Sequence, residues 1–214
     1  MENKKKARYS LGEEIFSSVT HGVGALLAIA GLVALLIFAA RFKDTLSVVS
    51  CAIYGGSLII LYLMSTLYHS LTGEKAKKIF RICDHCSIFL LIAGSYTPYT
   101  LIALRGQLGY TIFGVIWTMA ILGIVLNFID LERYKKASLI CYILMGWAVV
   151  FALRPLIAAI PPLALGLLVG GGISYTIGVF FYVNKRKYMH SVWHLFVLTG
   201  SVLHYVSVLQ LLLH

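Results

Sequence analysis

The sequence predicts an all-α, polytopic membrane protein built as a bundle of seven transmembrane helices. Three observations predict it. Of the 214 residues, 60% are hydrophobic and only 12% are charged, about half the charge of a typical soluble domain. The apolar residues gather into long stretches free of Lys, Arg, Asp and Glu, and the basic residues fall in short runs between them. So little polar surface cannot cover a water-exposed globule, and lipid is the natural solvent for most of the chain.

A crossing helix needs about 20 apolar residues, because the hydrocarbon core is about 30 Å thick and each residue rises about 1.5 Å. The uncharged stretches run 15–40, 45–71, 85–104, 106–129, 137–153, 155–184 and 189–214. The first is longer than the apolar core of a signal peptide and shows no compelling small-residue cleavage site, so it reads as a retained first helix. The second to fourth each suffice for one crossing, and the fifth is the shortest. The sixth is too long for one crossing. Pro161-Pro162 sets its start, since proline suits a helix entrance and breaks an interior. Gly55-Gly56 and Gly170-Gly171-Gly172 read as points of close helix approach rather than phosphate loops. With no repeat, long linker or low-complexity tract, one domain covers 1–214, opening with a short basic segment over 1–13.

The basic runs orient the bundle. Lys4, Lys5, Lys6, Arg8, Lys75, Lys77, Lys78, Arg81, Arg133, Lys135, Lys136, Lys185, Arg186 and Lys187 all fall on one side; only Arg41, Lys43, Arg105 and Arg154 fall on the other. Fourteen against four predicts a cytoplasmic N-terminus, and an odd number of crossings then puts His214 outside. The formal net charge of +10 belongs to this topology and to anionic headgroups, and a nucleic-acid partner is not expected. Of the four cysteines, Cys51, Cys83, Cys86 and Cys141, three lie in or at the ends of apolar segments, where a thiol behaves as a small hydrophobe. No βαβ pattern surrounds Cys83-x-x-Cys86, which argues against a redox motif.

Ionisable residues near lipid are costly, so each needs a partner, water or a purpose. The topology gathers them at one depth, on the cytoplasmic side. His69 ends the second helix and Asp84 starts the third. His190 and His194 start the seventh, while Glu13, Glu14 and His21 start the first. His190-x-x-x-His194 sets two imidazoles one turn apart on a single face, suiting two ligands of one metal. With His69 they make three ligands and leave a fourth tetrahedral position for water, as in catalytic zinc sites. Iron and copper also accept imidazole. Ser191, Val192 and Trp193 separate the two histidines, so a base cannot come from that helix turn as it does in a metalloprotease. Asp84 is the nearest carboxylate by depth to hold the water and accept its proton, and Ser65, one turn before His69, could bond a developing oxyanion. The plainer alternative is that these histidines face headgroups or hydrogen-bond between helices. His85 points about 100° away from Asp84 and is expected to pack or cap. His204 lies about 15 Å deeper than His194 and is expected to be structural, with His214 a solvated terminus.

In order along the chain, Glu14-Ile-Phe-Ser-Ser-Val-Thr-His21, Ser65-Thr-Leu-Tyr-His69, Asp84-His85, Gly94-Ser-Tyr-Thr-Pro98 and His190-Ser-Val-Trp-His194 resemble the hemolysin III family. That family belongs with the progestin and adipoQ receptors and, more distantly, the alkaline ceramidases. The resemblance runs from about Gly12 to the C-terminus. It implies a zinc ion held by His69, His190 and His194, an aspartate near the zinc's water at Asp84, and the serine of an S-x-x-x-H motif at Ser65. One departure is visible. The family's first motif usually carries Asn between its Glu and His, and Ser17, shorter and with one fewer donor, stands here, so a network through Glu14, Ser17 and His21 is open to change.

The expectation is a zinc-dependent hydrolase of a lipid amide or ester in the cell membrane, with membrane lipids as both environment and substrate. A reading from another class is a receptor- or sensor-like protein in which zinc clamps helices 2, 3 and 7. A pore-forming cytolysin, which the family name invites, fits an all-helical polytopic chain without a secretion signal poorly.

Overall fold

The computed structural model describes residues 9–214, which form helices joined by short turns, with no strand among them. Lys4, Lys5, Lys6 and Arg8 of the expected basic segment lie outside the described residues. The helices are α1 (Leu11–Phe42), α2 (Thr45–Ser70), α3 (Glu74–Pro98), α4 (Gln107–Trp147), α5 (Leu153–Ala159), α6 (Pro162–Val183) and α7 (Met189–Leu213). Six helical runs are long and apolar enough to cross a membrane. The expectation of seven separate crossing helices is therefore not met.

The difference lies in the fourth run, which is helical over Gln107–Ala159, a length of about 80 Å if straight. It is not straight. Asp130 has a non-helical backbone, φ −159° and ψ 94°. Ser138 Oγ donates to Asn127 Oδ1 across that point at 2.6 Å, where a straight helix would hold the two residues about 16 Å apart. The run therefore folds back on itself at Asp130. Asp130 Oδ1 accepts the backbone N–H of Arg133, capping the second arm. No proline or glycine marks this reversal, and the charged run 130–136 reads from sequence as an ordinary loop.

Other boundaries follow from caps. Ser10 and Glu13 form a capping box at the start of α1, and Asp44 caps α2. Pro162 stands in the first turn of α6. α3 starts at Glu74, well before the uncharged stretch, because its basic first turns are helical too. Past Pro98 the helix widens into a π turn over Tyr99–Ala103. Thr97 Oγ1 and Thr100 Oγ1 donate there to the Ala93 and Tyr96 carbonyls, each four residues back.

Polarity runs inside out. Phe151, Leu11, Phe180, Leu26 and Ile129 are exposed, while Ser17, Ser65, Asn127, His194 and Ser207 are buried. That arrangement suits lipid and no other solvent, and the chain is a multi-pass membrane protein. Within lipid, packing and interhelical hydrogen bonds hold helices together. Tyr99 Oη donates to Ser207 Oγ at 2.7 Å, and Ser207 Oγ to the Ala164 carbonyl at 2.6 Å. Each such bond contributes about 0.6 kcal/mol, so close packing has to supply the rest. A Cβ on Gly55 would stand 2.5 Å from a Leu32 methyl, and one on Gly171 would stand 2.1 Å from the His204 ring. α1 packs on α2 and α7, α2 on α3, α3 on α4, and α6 on α7. α4 and α6 touch only sparingly.

Candidate metal centre

Three helices meet around a cluster of imidazoles. The last turn of α2 brings His69, and the first turns of α7 bring His190 and His194, all buried. His190 Nε2 lies 3.3 Å from His69 Nε2 and 3.2 Å from His194 Nε2. Among the described residues these are the group of His, Cys and carboxylate side chains whose ligand atoms converge, all within 4.8 Å of one another.

The start of α7 has its own support. Tyr188, just before the helix, is left-handed at φ 64°, a costly conformation for a non-glycine residue. Its backbone N–H donates to Glu13 Oε1 at 2.8 Å. Glu13 Oε2 meanwhile accepts from the Ser10 backbone N–H and hydroxyl. One carboxylate thus caps α1 and anchors the turn into α7. One turn on, Ser17 Oγ and Ser191 Oγ share a hydrogen bond at 3.1 Å.

Around the cluster stand an acid and several rings. His69 Nδ1 meets Glu14 Oε2 at 2.6 Å, and Lys77 Nζ donates to Glu14 Oε1 at 2.7 Å. The Tyr9 ring stacks on His190 with centroids 4.6 Å apart. His21 stacks on His194 at 3.7 Å, and Trp193 lies edge-on to His194 at 5.1 Å. His194 also faces the Ser17 carbonyl, and its Nδ1 completes no hydrogen bond among the described residues.

Asp84 is buried on α3 within electrostatic reach of His69 and Arg81. Its carboxylate is not one of the three converging ligands. The buried Ser65 hydroxyl faces it and completes no hydrogen bond among the described residues. Asp84 also lines an apolar cavity of about 180 Å³. Leu91, Tyr99, Trp147, Leu168 and Tyr175 are among the other lining residues. Asp84 and Tyr99 lie about 22 Å apart along the run of α3 and its π turn, so the cavity is a slot along that run, between α3, the second arm of α4, α6 and α7. Trp147 Nε1 donates to Thr176 Oγ1 at 3.0 Å, bridging α4 and α6 beside it.

The remaining candidates separate cleanly. His85 faces the Tyr182 ring at 6.5 Å, and its carbonyl accepts from Tyr142 Oη. His204 Nε2 bonds the Leu168 carbonyl at 3.1 Å, and His214 is exposed at the C-terminus. All four cysteines are free. Sequence reasoning left Glu14, Ser17 and His21 without roles. Their signal was the spacing i, i+3, i+7, which puts all three on one face of α1.

The cluster shares its end of the bundle with the basic runs. Lys77 binds Glu14, and Arg81 on α3 pairs with Glu132 beside the α4 reversal.

Comparison with known proteins agrees with the motifs. The haemolysin-III related family profile matches residues 9–205. The chain is 46% identical to Hemolysin-3 of Bacillus cereus over 198 residues, 92% of this chain and 90% of the relative. It is 43% identical to the Hemolysin-3 homolog of Bacillus subtilis (strain 168) over 202 residues, 94% of this chain and 95% of the relative. A more distant relative is the human monocyte to macrophage differentiation factor, 31% identical over 163 residues, 73% of this chain and 67% of the relative. A profile spanning nearly the whole chain, with relatives this similar over nearly their whole length, places this protein in the haemolysin-III related family.

Proposed function

We propose that this chain is a zinc-binding hydrolase of a lipid amide or ester in the cell membrane. The observation that carries the proposal is the pair of Nε2–Nε2 separations, 3.3 and 3.2 Å, beside a buried carboxylate that lines an apolar slot. Imidazole nitrogens about 2.0–2.1 Å from a tetrahedral zinc stand roughly 3.3–3.4 Å from each other. Bare nitrogens that close together repel unless a proton or a cation lies between them. Three imidazoles whose ligand atoms lie within 4.8 Å of one another suit zinc in donor type, and on this reading His69, His190 and His194 are its ligands.

When bound, zinc lowers the pKa of a water toward ~7 and polarises a carbonyl. Asp84 orients the attacking water and accepts its proton. Ser65 donates a hydrogen bond to the carbonyl oxygen as negative charge develops there. The slot takes the acyl chain next to the scissile bond and keeps bulk water out. Water adds across the C–N or C–O bond, leaving a fatty acid and an amine or alcohol.

Topology is part of the same reading. On this reading the fourth run crosses twice, which its fold-back at Asp130 supports. On the same reading the N-terminus and the cluster lie on the cytoplasmic side and the C-terminus outside, which the bias of the basic residues to one end supports. A second reading draws on the same geometry. The cluster ties α2 to α7 and, through Glu14, to α1, as a structural zinc clamp in a receptor-like protein would.

A panel of lipid amides and esters, offered to zinc-loaded protein in detergent and in bilayers, tests the hydrolase. Release of fatty acid from at least one class is expected. Full zinc occupancy with no cleavage of any panel member would leave the clamp.

A further inference from the structure

A carboxylate on α1 stands behind one member of the histidine cluster. Glu14 Oε2 lies 2.6 Å from His69 Nδ1, while His69 Nε2 faces His190 Nε2 at 3.3 Å. The two nitrogens of an imidazole point in diverging directions, so Glu14 does not reach the space among the three Nε2 atoms. Its contact acts on His69. A carboxylate accepting from Nδ1 keeps the ring proton on that nitrogen and turns the Nε2 lone pair toward the cluster.

His69 needs this help. It sits in the last turn of α2, where a helix is least constrained. His190 and His194, by contrast, share one helical face. Glu14 is itself held at both oxygens, since Lys77 Nζ donates to Oε1 at 2.7 Å. Lys77 in turn donates to the Leu71 carbonyl at 3.3 Å and lies 5.3 Å over the Tyr68 ring. The His69 side chain is fully buried and that of Glu14 is 14% exposed, so solvent screens this contact far less than a surface ion pair. Three helices converge on one ring through Glu14, and no step of the hydrolysis employs it.

We propose that Glu14, anchored by Lys77, is the positioning residue of the metal centre. It fixes the tautomer and direction of His69, and thereby raises the affinity of the three-histidine site for zinc. This rests on the zinc reading given above. A merely structural Glu14 would join α1 to α2 and α3 and leave metal affinity alone.

Zinc affinity by competition with a chromophoric chelator separates these roles. The full chain in detergent is compared as wild type, Glu14→Gln and Glu14→Ala, with thermal unfolding of each metal-free form alongside. Loss of a carboxylate behind a metal-ligating histidine typically weakens binding about 10–100-fold, and that loss is expected for Glu14→Ala. Glutamine retains an acceptor oxygen without the charge, so Glu14→Gln is expected between alanine and wild type. If the alanine variant fails to fold, the nearly isosteric glutamine variant carries the test. Glu14→Gln that binds zinc as tightly as wild type overturns the proposal, whatever its melting temperature does. Wild type that binds no zinc at all is a different result, and removes the three-histidine reading together with this one.

Discussion

The imidazole of His21 on α1 lies flat against that of His194 on α7, ring centroids 3.7 Å apart and planes 17° from parallel. His21 is buried, and neither ring nitrogen completes a hydrogen bond among the described residues. Its ring face is what it offers the His194 imidazole, and it also faces the His194 backbone carbonyl. His21→Ala should open a cavity behind His194, costing about 2–4 kcal/mol on the scale of large-to-small core changes and loosening the histidine cluster. His21→Phe keeps a flat ring and should retain most of both. Thermal unfolding and zinc competition on the two variants check this. Equal behaviour of alanine and phenylalanine would remove the stacking role.

Asp84 separates the enzyme from the structural clamp. It lies outside the three converging ligands, so Asp84→Asn should leave zinc in place. Removing a proton acceptor typically lowers turnover about 10²–10⁴-fold, and that loss is expected against whichever lipid the panel identifies. A folded, zinc-replete Asp84→Asn with undiminished turnover would remove Asp84 from the chemistry.

Glu13 joins two helix starts with one carboxylate, through Ser10 on one side and the Tyr188 N–H on the other. Glu13→Ala should cost about 1–2 kcal/mol through the lost cap, and should free a left-handed Tyr188 to relax. The expected result is a lower melting temperature and weaker zinc binding, because the turn it anchors positions His190. Glu13→Gln should restore part of the cap.

At the opposite end of the bundle, the backbone N–H and hydroxyl of Ser47, and then Arg105, hold the Asp44 carboxyl down to about 2 from its ordinary 3.8. The folded value is below the unfolded one, so this stabilisation is fully present above about pH 4. It is lost as pH falls toward 2. Asp44→Asn keeps an acceptor for the cap and gives up the ion pair. Its melting temperature should lie below wild type at pH 6, with the gap closing as the buffer is taken toward pH 2. A gap independent of pH would contradict this.

The crossing segments were legible because lipid imposes a length and an absence of charge, and Pro161-Pro162 marked the start of α6. The fold-back was not legible as it occurs, since Asp130 breaks the helix with an ordinary side chain rather than with proline or glycine. His69, His190 and His194 could be grouped from depth and spacing alone. The contacts behind them could not. Glu14 to His69 and His21 to His194 each join residues far apart in sequence, and depth does not say which faces of α1, α2 and α7 meet. Ser17 illustrates the limit. Read as a shortened member of a motif, it is the hydroxyl that bonds Ser191.

His69, His190 and His194 are proposed to hold zinc. Metal content by plasma mass spectrometry, on detergent-purified wild type and on His190→Ala/His194→Ala, tests this most directly. About one zinc per chain in the wild type, lost from the double variant, is the predicted result for a single three-histidine site. Wild type purified without chelators and free of metal would contradict it, and would leave the three imidazoles as helix-packing groups.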